Sequence, residues 1–281
     1  MNDMKSKESE FSNNNVKPTA PMLHRLHWLL CVEKKPSLNM TNTKGFVRLA
    51  TDEDIEIIYQ RLISEDTNNV HGSFLCNWNL THKVYLEHGL FVYIDSTSMS
   101  PVGYLWHNFG IVEVFSNMRG KGIGRELVEH GKIDALNSNI SVIKIKCAPE
   151  TSIPFWEHMG FRLYNNKDAY FIVEKKLDVK NIGALTTVEL NFYPEYKKWK
   201  PETKPLQSFK PQAIMDNKSV IYFYNRISVF TGNSEWSGDP VVEIIVGGKR
   251  IYLDKAKYPE AERLGVKKTS WAYSIEKLNL Q

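Results

Sequence analysis

The chain has 281 residues and a mass of 32.5 kDa, with 42% apolar, 12% aromatic and 24% charged residues. This composition excludes wholesale disorder, collagen and a coiled coil, and the length allows one large domain or two small ones. With 36 basic against 32 acidic residues the formal charge is only +4, too mild to announce nucleic acid by itself.

Residues 1–45 read as a disordered or loosely packed extension, opening on a stretch rich in Asn, Ser, Lys and Glu. Within it, Met22–Val32 (MLHRLHWLLCV) falls short of the about 18 apolar residues that a membrane span needs, and it carries Arg25. No small-residue cleavage site follows, so a short packing helix or strand is expected rather than a signal peptide or membrane anchor. The three cysteines, Cys31, Cys76 and Cys147, lie far apart with no CxxC. They suggest neither a disulfide framework nor a zinc cluster, so a reducing cytosol is the expected compartment and no metal is expected.

A folded unit is predicted from Phe46. Phe46–Leu49 reads as a strand, Thr51 or Asp52 as a helix cap, and Ile55, Ile58, Leu62 and Ile63 recur at helical spacing. Gly89–Ile94 and Val102–Phe109 read as an antiparallel hairpin, followed by the strand Ile111–Phe115. A glycine-rich hexamer, Arg119-Gly-Lys-Gly-Ile-Gly124, then opens a helix carrying Leu127, Val128, Ile133 and Leu136. Ser141–Cys147 reads as a strand and Ile153–Met159 as a helix stopped by Gly160. Phe161–Tyr164 and Tyr170–Glu174 read as two last strands. The order β, α, β, β, β, α, β, α, β, β makes residues 46–178 one mixed α/β domain.

Composition changes after Asp178. Four prolines in a lysine-rich stretch mark residues 179–211 as a stiff linker or clamp. Residues 212–281 read as a small β-rich domain: Val220–Tyr224, Ile227–Phe230, a Gly247-Gly248 hairpin turn after Val241–Val246, and a short helix before a strand at Trp271–Ile275. Residues 179–281 hold sixteen Lys/Arg against eleven Asp/Glu, so the whole basic excess lies there. A solvated basic surface, with aromatics packed on the first domain, is preferred to a nucleic-acid surface.

The hexamer carries the chemistry. Its glycines let backbone N–H groups turn inward, and the helix that follows adds its partial positive charge, which together cradle a pyrophosphate. It is not the Rossmann fingerprint, because the spacing is GxGxG and the next strand offers Lys144 and Lys146 where an acid is needed. Nor is it a Walker loop, because Gly122 follows Gly120-Lys121 where Lys-Ser/Thr is required.

The segment resembles the acyl-CoA loop of the GCN5-related N-acetyltransferases (GNAT), Arg/Gln-x-x-Gly-x-Gly/Ala, with Arg119, Gly122 and Gly124 in its fixed places. VRLATDED, PVGYLWHNFG and Ile153-Pro-Phe-Trp-Glu-His-Met-Gly-Phe161 resemble the family's first strand, third strand and helix-to-strand junction. The resemblance covers about residues 46–177. It implies the acyl-CoA N-acyltransferase fold: a mixed, mostly antiparallel central sheet whose fourth and fifth strands splay apart, with flanking helices. It also implies an enzyme that moves an acetyl group from acetyl-CoA, bound as co-substrate, to a primary amine by direct attack in a ternary complex. Arg119, Gly120, Lys121, Gly122, Ile123 and Gly124 would hold the pyrophosphate, Val114 or Phe115 would donate a backbone N–H to the thioester carbonyl, and Trp156 would pack beside the pantetheine arm.

Two positions depart from that pattern. The family's usual general acid is a tyrosine, and its place is taken by Trp156, whose indole cannot protonate a thiolate. Tyr164 is a substitute on sequence proximity alone. An asparagine that often contacts CoA is replaced by Pro149. Glu113, inside the apolar run IVEVF, is the best candidate base, because burial would raise its pKa. Lys144 stands where some relatives carry an acid, and His107 and His158 read as structural. The acceptor is a small molecule or a protein amine, and no membrane partner is expected. The C-terminal region is expected to supply part of the acceptor site, a homodimer contact or a partner dock. A protein- or RNA-directed acetyltransferase and a non-catalytic acetyl-CoA-binding module are the alternatives.

Overall fold

Thr51 begins the first helix. In a computed structural model its hydroxyl accepts from the Asp54 N–H at 3.4 Å, and the Asp54 carboxylate accepts from the Thr51 N–H at 2.8 Å, a reciprocal capping box. The residues described are 45–70, 74–179, 183–269 and 271–281. The expectations for residues 1–44, with Met22–Val32, lie outside them. No described helix is long and apolar enough to cross a membrane.

Helix α1 (Asp52–Thr67) buries Ile55, Ile58 and Leu62, each contributing about 1.5–3 kcal/mol of apolar burial. It connects β1 (Gly45–Leu49), through a second helix α2 (Trp78–Leu86), to β2 (Leu90–Asp95). Strands β3 (Ser100–Trp106) and β4 (Val112–Val114) complete an antiparallel sheet in the order β1-β2-β3-β4. Helix α3 (Ile123–Asn137) leads to β5 (Val142–Lys146), α4 (Ile153–His158), β6 (Arg162–Leu163) and β7 (Asp168–Ile172). These strands form a separate sheet in the order β5-β7-β6. The fourth and fifth strands therefore part, as expected.

One helix covers one face of both sheets. On the first, α3 sets Leu127 and Ile123 against Gly103 of β3; on the second, Lys132 of α3 lies over Phe171 of β7 at 4.4 Å. By alternation, Tyr104 and its cross-strand partner Glu113 point to the opposite face, as do the paired Lys144 and Tyr170. On that opposite face α1 and α2 cover the first sheet. The second is covered by Phe230, stacked on Tyr170 at 4.2 Å, and by Trp271, whose ring lies 4.1 Å from the Lys144 ammonium.

Those two aromatics come from the C-terminal region, which corrects the expected linker. Residues 184–193 are not a linker but β8 (Ala184–Tyr193), an inner strand of an eight-stranded antiparallel sheet. Val188, Leu190 and Phe192 alternate with polar residues and fill its core, so burial holds the segment extended despite the prolines that follow. The sheet runs β13-β12-β8-β10-β11-β15-β14, with β9 on β8. Its strands are β9 (Gln207–Phe209), β10 (Gln212–Met215), β11 (Val220–Phe230), β12 (Val241–Val246), β13 (Lys249–Lys255), β14 (Lys267–Thr269) and β15 (Ala272–Asn279). The short helix α5 (Pro259–Leu264) precedes β14. Gly247 and Gly248, both at positive φ, make the expected β12–β13 turn.

The described residues from 45 to 281 fall in one compact unit. Arg226 of β11, 7% exposed, donates to the Ile140 carbonyl at 2.7 Å, the Val173 carbonyl at 2.8 Å and Asn139 Oδ1 at 3.2 Å. It thereby ties the C-terminal sheet to the chain leaving α3.

Candidate functional site

The parting of β4 and β5 leaves two strand edges without a ladder partner. Which backbone groups face the gap follows from the β3–β4 register. Glu113 stands opposite Tyr104, the Phe115 N–H donates to the Val102 carbonyl at 3.0 Å, and the Ile111 carbonyl accepts from Trp106 at 2.9 Å. Residues 111, 113 and 115 are thus bonded to β3, and Val112 and Val114 turn their backbone groups away from it, toward the gap. This corrects half of the expectation for the thioester donor. The Phe115 N–H is spent on β3, and the Phe115 side chain is 4% exposed in the core, so of these two candidates it is the Val114 N–H that faces the gap.

Immediately beyond, a 3₁₀ turn (Ser116–Met118) delivers the chain to the glycine loop. Gly120 at φ 77° and Gly122 at φ 84° are left-handed, a conformation that favours glycine, and Gly122 is the N-cap of α3 with no side-chain cap. The first intrahelical bond belongs to Glu126, which donates to Gly122. The N–H groups of the first turn therefore remain open to an anion, with the positive end of a 15-residue helix behind them. The loop residues divide by role. Ile123 is 4% exposed and packs into the core, so it offers only its backbone. Lys121 sits at the surface, with its ammonium 3.2 Å from the Met118 sulfur.

Arg119 turns back rather than outward: its Nε donates to the Val114 carbonyl at 2.9 Å and its Nη2 to Glu113 Oε1 at 3.0 Å. Glu113 is 3% exposed. Burial pushes its pKa up from 4.5 to about 7, against the opposing pull of the Arg119 guanidinium. Around it the structure collects groups that sequence reasoning missed. The Tyr104 hydroxyl is fully buried beside Thr81, and burial raises its pKa further than the nearby Glu113 charge does. Glu65, 3% exposed, accepts through Oε1 from Arg61, from the Ser116 N–H and from the Ser116 hydroxyl, while its Oε2 has no partner. A signal for Glu65 existed: it continues the buried stripe Ile58, Leu62 at the next helical position, where an apolar residue is expected.

The aromatic residues are placed differently from expectation. Trp156 is 7% exposed, edge-on to Phe155 and Phe161 with 5.1 Å between centroids in each pair, so it is a core residue. Its neighbour Phe155 is the α4 side chain that reaches the loop: a Cβ on Gly124 would lie 3.5 Å from Phe155 and 3.7 Å from Val114. Tyr164 stands just beyond β6, and β7 separates β6 from β5 and the gap. Its ring packs on Phe230 at 4.9 Å, and its buried hydroxyl has no partner. The structure does not bring it to Glu113. Among the described residues no group of His, Cys, Asp or Glu is placed to hold a metal ion.

The strand order, the open gap and the glycine loop between β4 and α3 define an acyl-CoA N-acyltransferase fold over residues 45–173. The chain is similar to solved GNAT-family acetyltransferases. One from Staphylococcus aureus Mu50 is 16% identical at a TM-score of 0.37, covering 46% of this chain and 99% of that one. Arylalkylamine N-acetyltransferase 2 from Aedes aegypti is 11% identical at 0.38, covering 47% of this chain and 100% of that one. A GNAT-family enzyme from Escherichia coli in complex with CoA is 14% identical at 0.36, covering 48% and 85%. No protein-family model matches the chain, and no curated protein matches it in sequence.

Proposed function

We propose that the chain is an acetyl-CoA-dependent N-acetyltransferase acting on a primary amine. The observation that carries this reading is the Val114 N–H facing an unpaired strand gap beside the uncapped N-terminus of α3. The open amides of Gly122, Ile123 and Gly124 would take the pyrophosphate, and the two free strand edges would pair with the amides of the pantetheine arm. The acetyl thioester, when bound, supplies the electrophile.

Glu113 takes the proton of the acceptor ammonium, a role supported by its burial and its pKa near 7. The neutral amine attacks the carbonyl carbon, and Val114 donates its N–H to the oxygen as negative charge collects there. The C–S bond then breaks, the attacking nitrogen sheds its remaining extra proton to solvent to leave the neutral amide, and the departing thiolate takes a proton from solvent. Tyr164 is left out of this scheme because its hydroxyl lies beyond β7. The face on which Glu113 lies is roofed on one side by α1 and α2 and on the other by Phe230 and Trp271, which favours an acceptor recognised partly by the C-terminal sheet. Mass spectrometry of the purified chain with acetyl-CoA and a panel of polyamines, amino sugars, arylalkylamines and peptides tests the proposal. Acetylated product that disappears in Glu113→Gln supports it. Absence of product from every amine, with acetyl-CoA bound, would leave a binding module instead.

A further inference from the structure

The C-terminal sheet contains a cleft of about 330 Å³ that shares Trp271 with the acceptor face but is otherwise lined by residues the acetyl-transfer reading does not use. It lies where β11, β14 and β15 meet, and its lining includes Asn233, Asp239, Lys268, Trp271 and Tyr273. Two residues of this lining carry a buried polar atom with no partner among the described residues. The Tyr273 hydroxyl belongs to a residue that is 1% exposed, and Asn233 Oδ1 is buried although its own amide donates to Glu235 at 3.0 Å. Buried polar atoms are seldom left unbonded, so these two are placed for a ligand or water. Burial pushes the Tyr273 phenol up to about 12, which keeps it a neutral donor.

The wall is Trp271, a large apolar side chain that is 49% exposed. Asp239 holds Lys257 at 2.5 Å and Lys268 at 3.3 Å, so that trio is net positive. Lys144 lies across the indole, 4.1 Å from the Trp271 ring, and has no carboxylate partner among the described residues. The cleft therefore combines a flat aromatic face, one buried acceptor, one buried donor and surplus positive charge. A simple anion needs no indole, and a neutral sugar leaves the cations unanswered. A planar heterocycle with N–H donors and an anionic substituent answers all four.

We propose that this cleft binds a nucleotide, with the base stacked on Trp271, a base N–H donated to Asn233 Oδ1 and the phosphate near Lys268. Its source is either a free mononucleotide or one residue of a single strand. The site is separate from the acyl-CoA loop and does not depend on the chain being an acetyltransferase.

The test is calorimetry of the full chain with the common nucleoside 5′-monophosphates and with inorganic phosphate, and fluorescence anisotropy with a labelled single-stranded octanucleotide. Removing one stacking platform should weaken binding about 5- to 150-fold, so Trp271→Ala carries the main prediction. Lys268→Glu should weaken binding at least about tenfold through charge reversal alone, which guards against a packing defect in the first variant. Gly122→Asp should leave it unchanged, which separates this cleft from the loop that would hold the nucleotide end of acetyl-CoA. Equal affinity per site for mononucleotide and strand assigns a free nucleotide, and tighter, salt-sensitive strand binding assigns a nucleic acid. No binding of any of these nucleotides at millimolar concentration, undiminished binding by both variants, or phosphate competing as well as nucleotide with Trp271→Ala silent, would overturn the proposal.

Discussion

Replacing Glu113 by Gln keeps the shape of the side chain and removes its charge. The carboxyl is pushed from an ordinary 4.5 to about 7 because its ionised form is desolvated. A raised carboxyl pKa means that the folded protein holds this proton where the unfolded chain has lost it. Between about pH 4.5 and 7, folding stability falls as pH rises, and above 7 the cost is complete. At 1.36 kcal/mol per unit, the shift from 4.5 to about 7 corresponds to about 3 kcal/mol. Glu113→Gln should therefore match the wild type near pH 4.5 and exceed it by up to about 3 kcal/mol at pH 8. Urea unfolding of both proteins across that range reads the difference, in which titrating groups not coupled to Glu113 cancel. The same ionisation should make wild-type kcat/KM climb through pH 7, and the variant should lose about 10²–10⁴-fold in rate. A stability difference that does not change with pH would refute the buried, shifted carboxyl, and an unchanged rate would remove Glu113 from the mechanism.

Arg226→Met strips hydrogen bonds from the carbonyls of Ile140 and Val173, and chemical unfolding should show a loss of about 3 kcal/mol. Tyr164→Phe removes a hydroxyl with no partner, so turnover should persist and stability should hold or rise by about 1 kcal/mol; a collapse in turnover would make Tyr164 the acid after all. Trp156→Phe should cost about 1–2 kcal/mol of core packing and keep most activity, measured as steady-state rate beside a thermal melt.

Local chemistry was the most legible part of the sequence. The Thr51 cap, the glycine loop and the Gly247-Gly248 turn depend on neighbours a few residues away, and each stands where the sequence puts it. The parting of the fourth and fifth strands was expected only through a resemblance, since no periodicity encodes a missing ladder. Helix α2 was not predicted because it lacks a clean apolar stripe: only Thr81 and Val84 are buried, while Leu80 and Leu86 face outward. Strand β8 had its alternation in plain sight, but the proline cluster that starts at Pro194 drew the boundary too early. Register decided the rest. Alternation fixes which face Glu113 takes, but only pairing with β3 reveals that Phe115 spends its N–H while Val114 keeps one. Tyr164 shows the limit of sequence proximity, because an intervening strand separates it from the gap.

The central claim is that the loop between β4 and α3 is an acyl-CoA seat. Titration calorimetry of acetyl-CoA into wild type and into Gly122→Asp tests it most directly. Aspartate tolerates the left-handed backbone of position 122 better than most side chains, so the variant tests charge at the α3 N-terminus rather than folding. The account predicts saturable binding by wild type, worth about 2.7 kcal/mol of added stability at 100 times Kd, and at least about tenfold weaker binding by the variant. No heat of binding in the wild type, or equal affinity in both proteins, would contradict it.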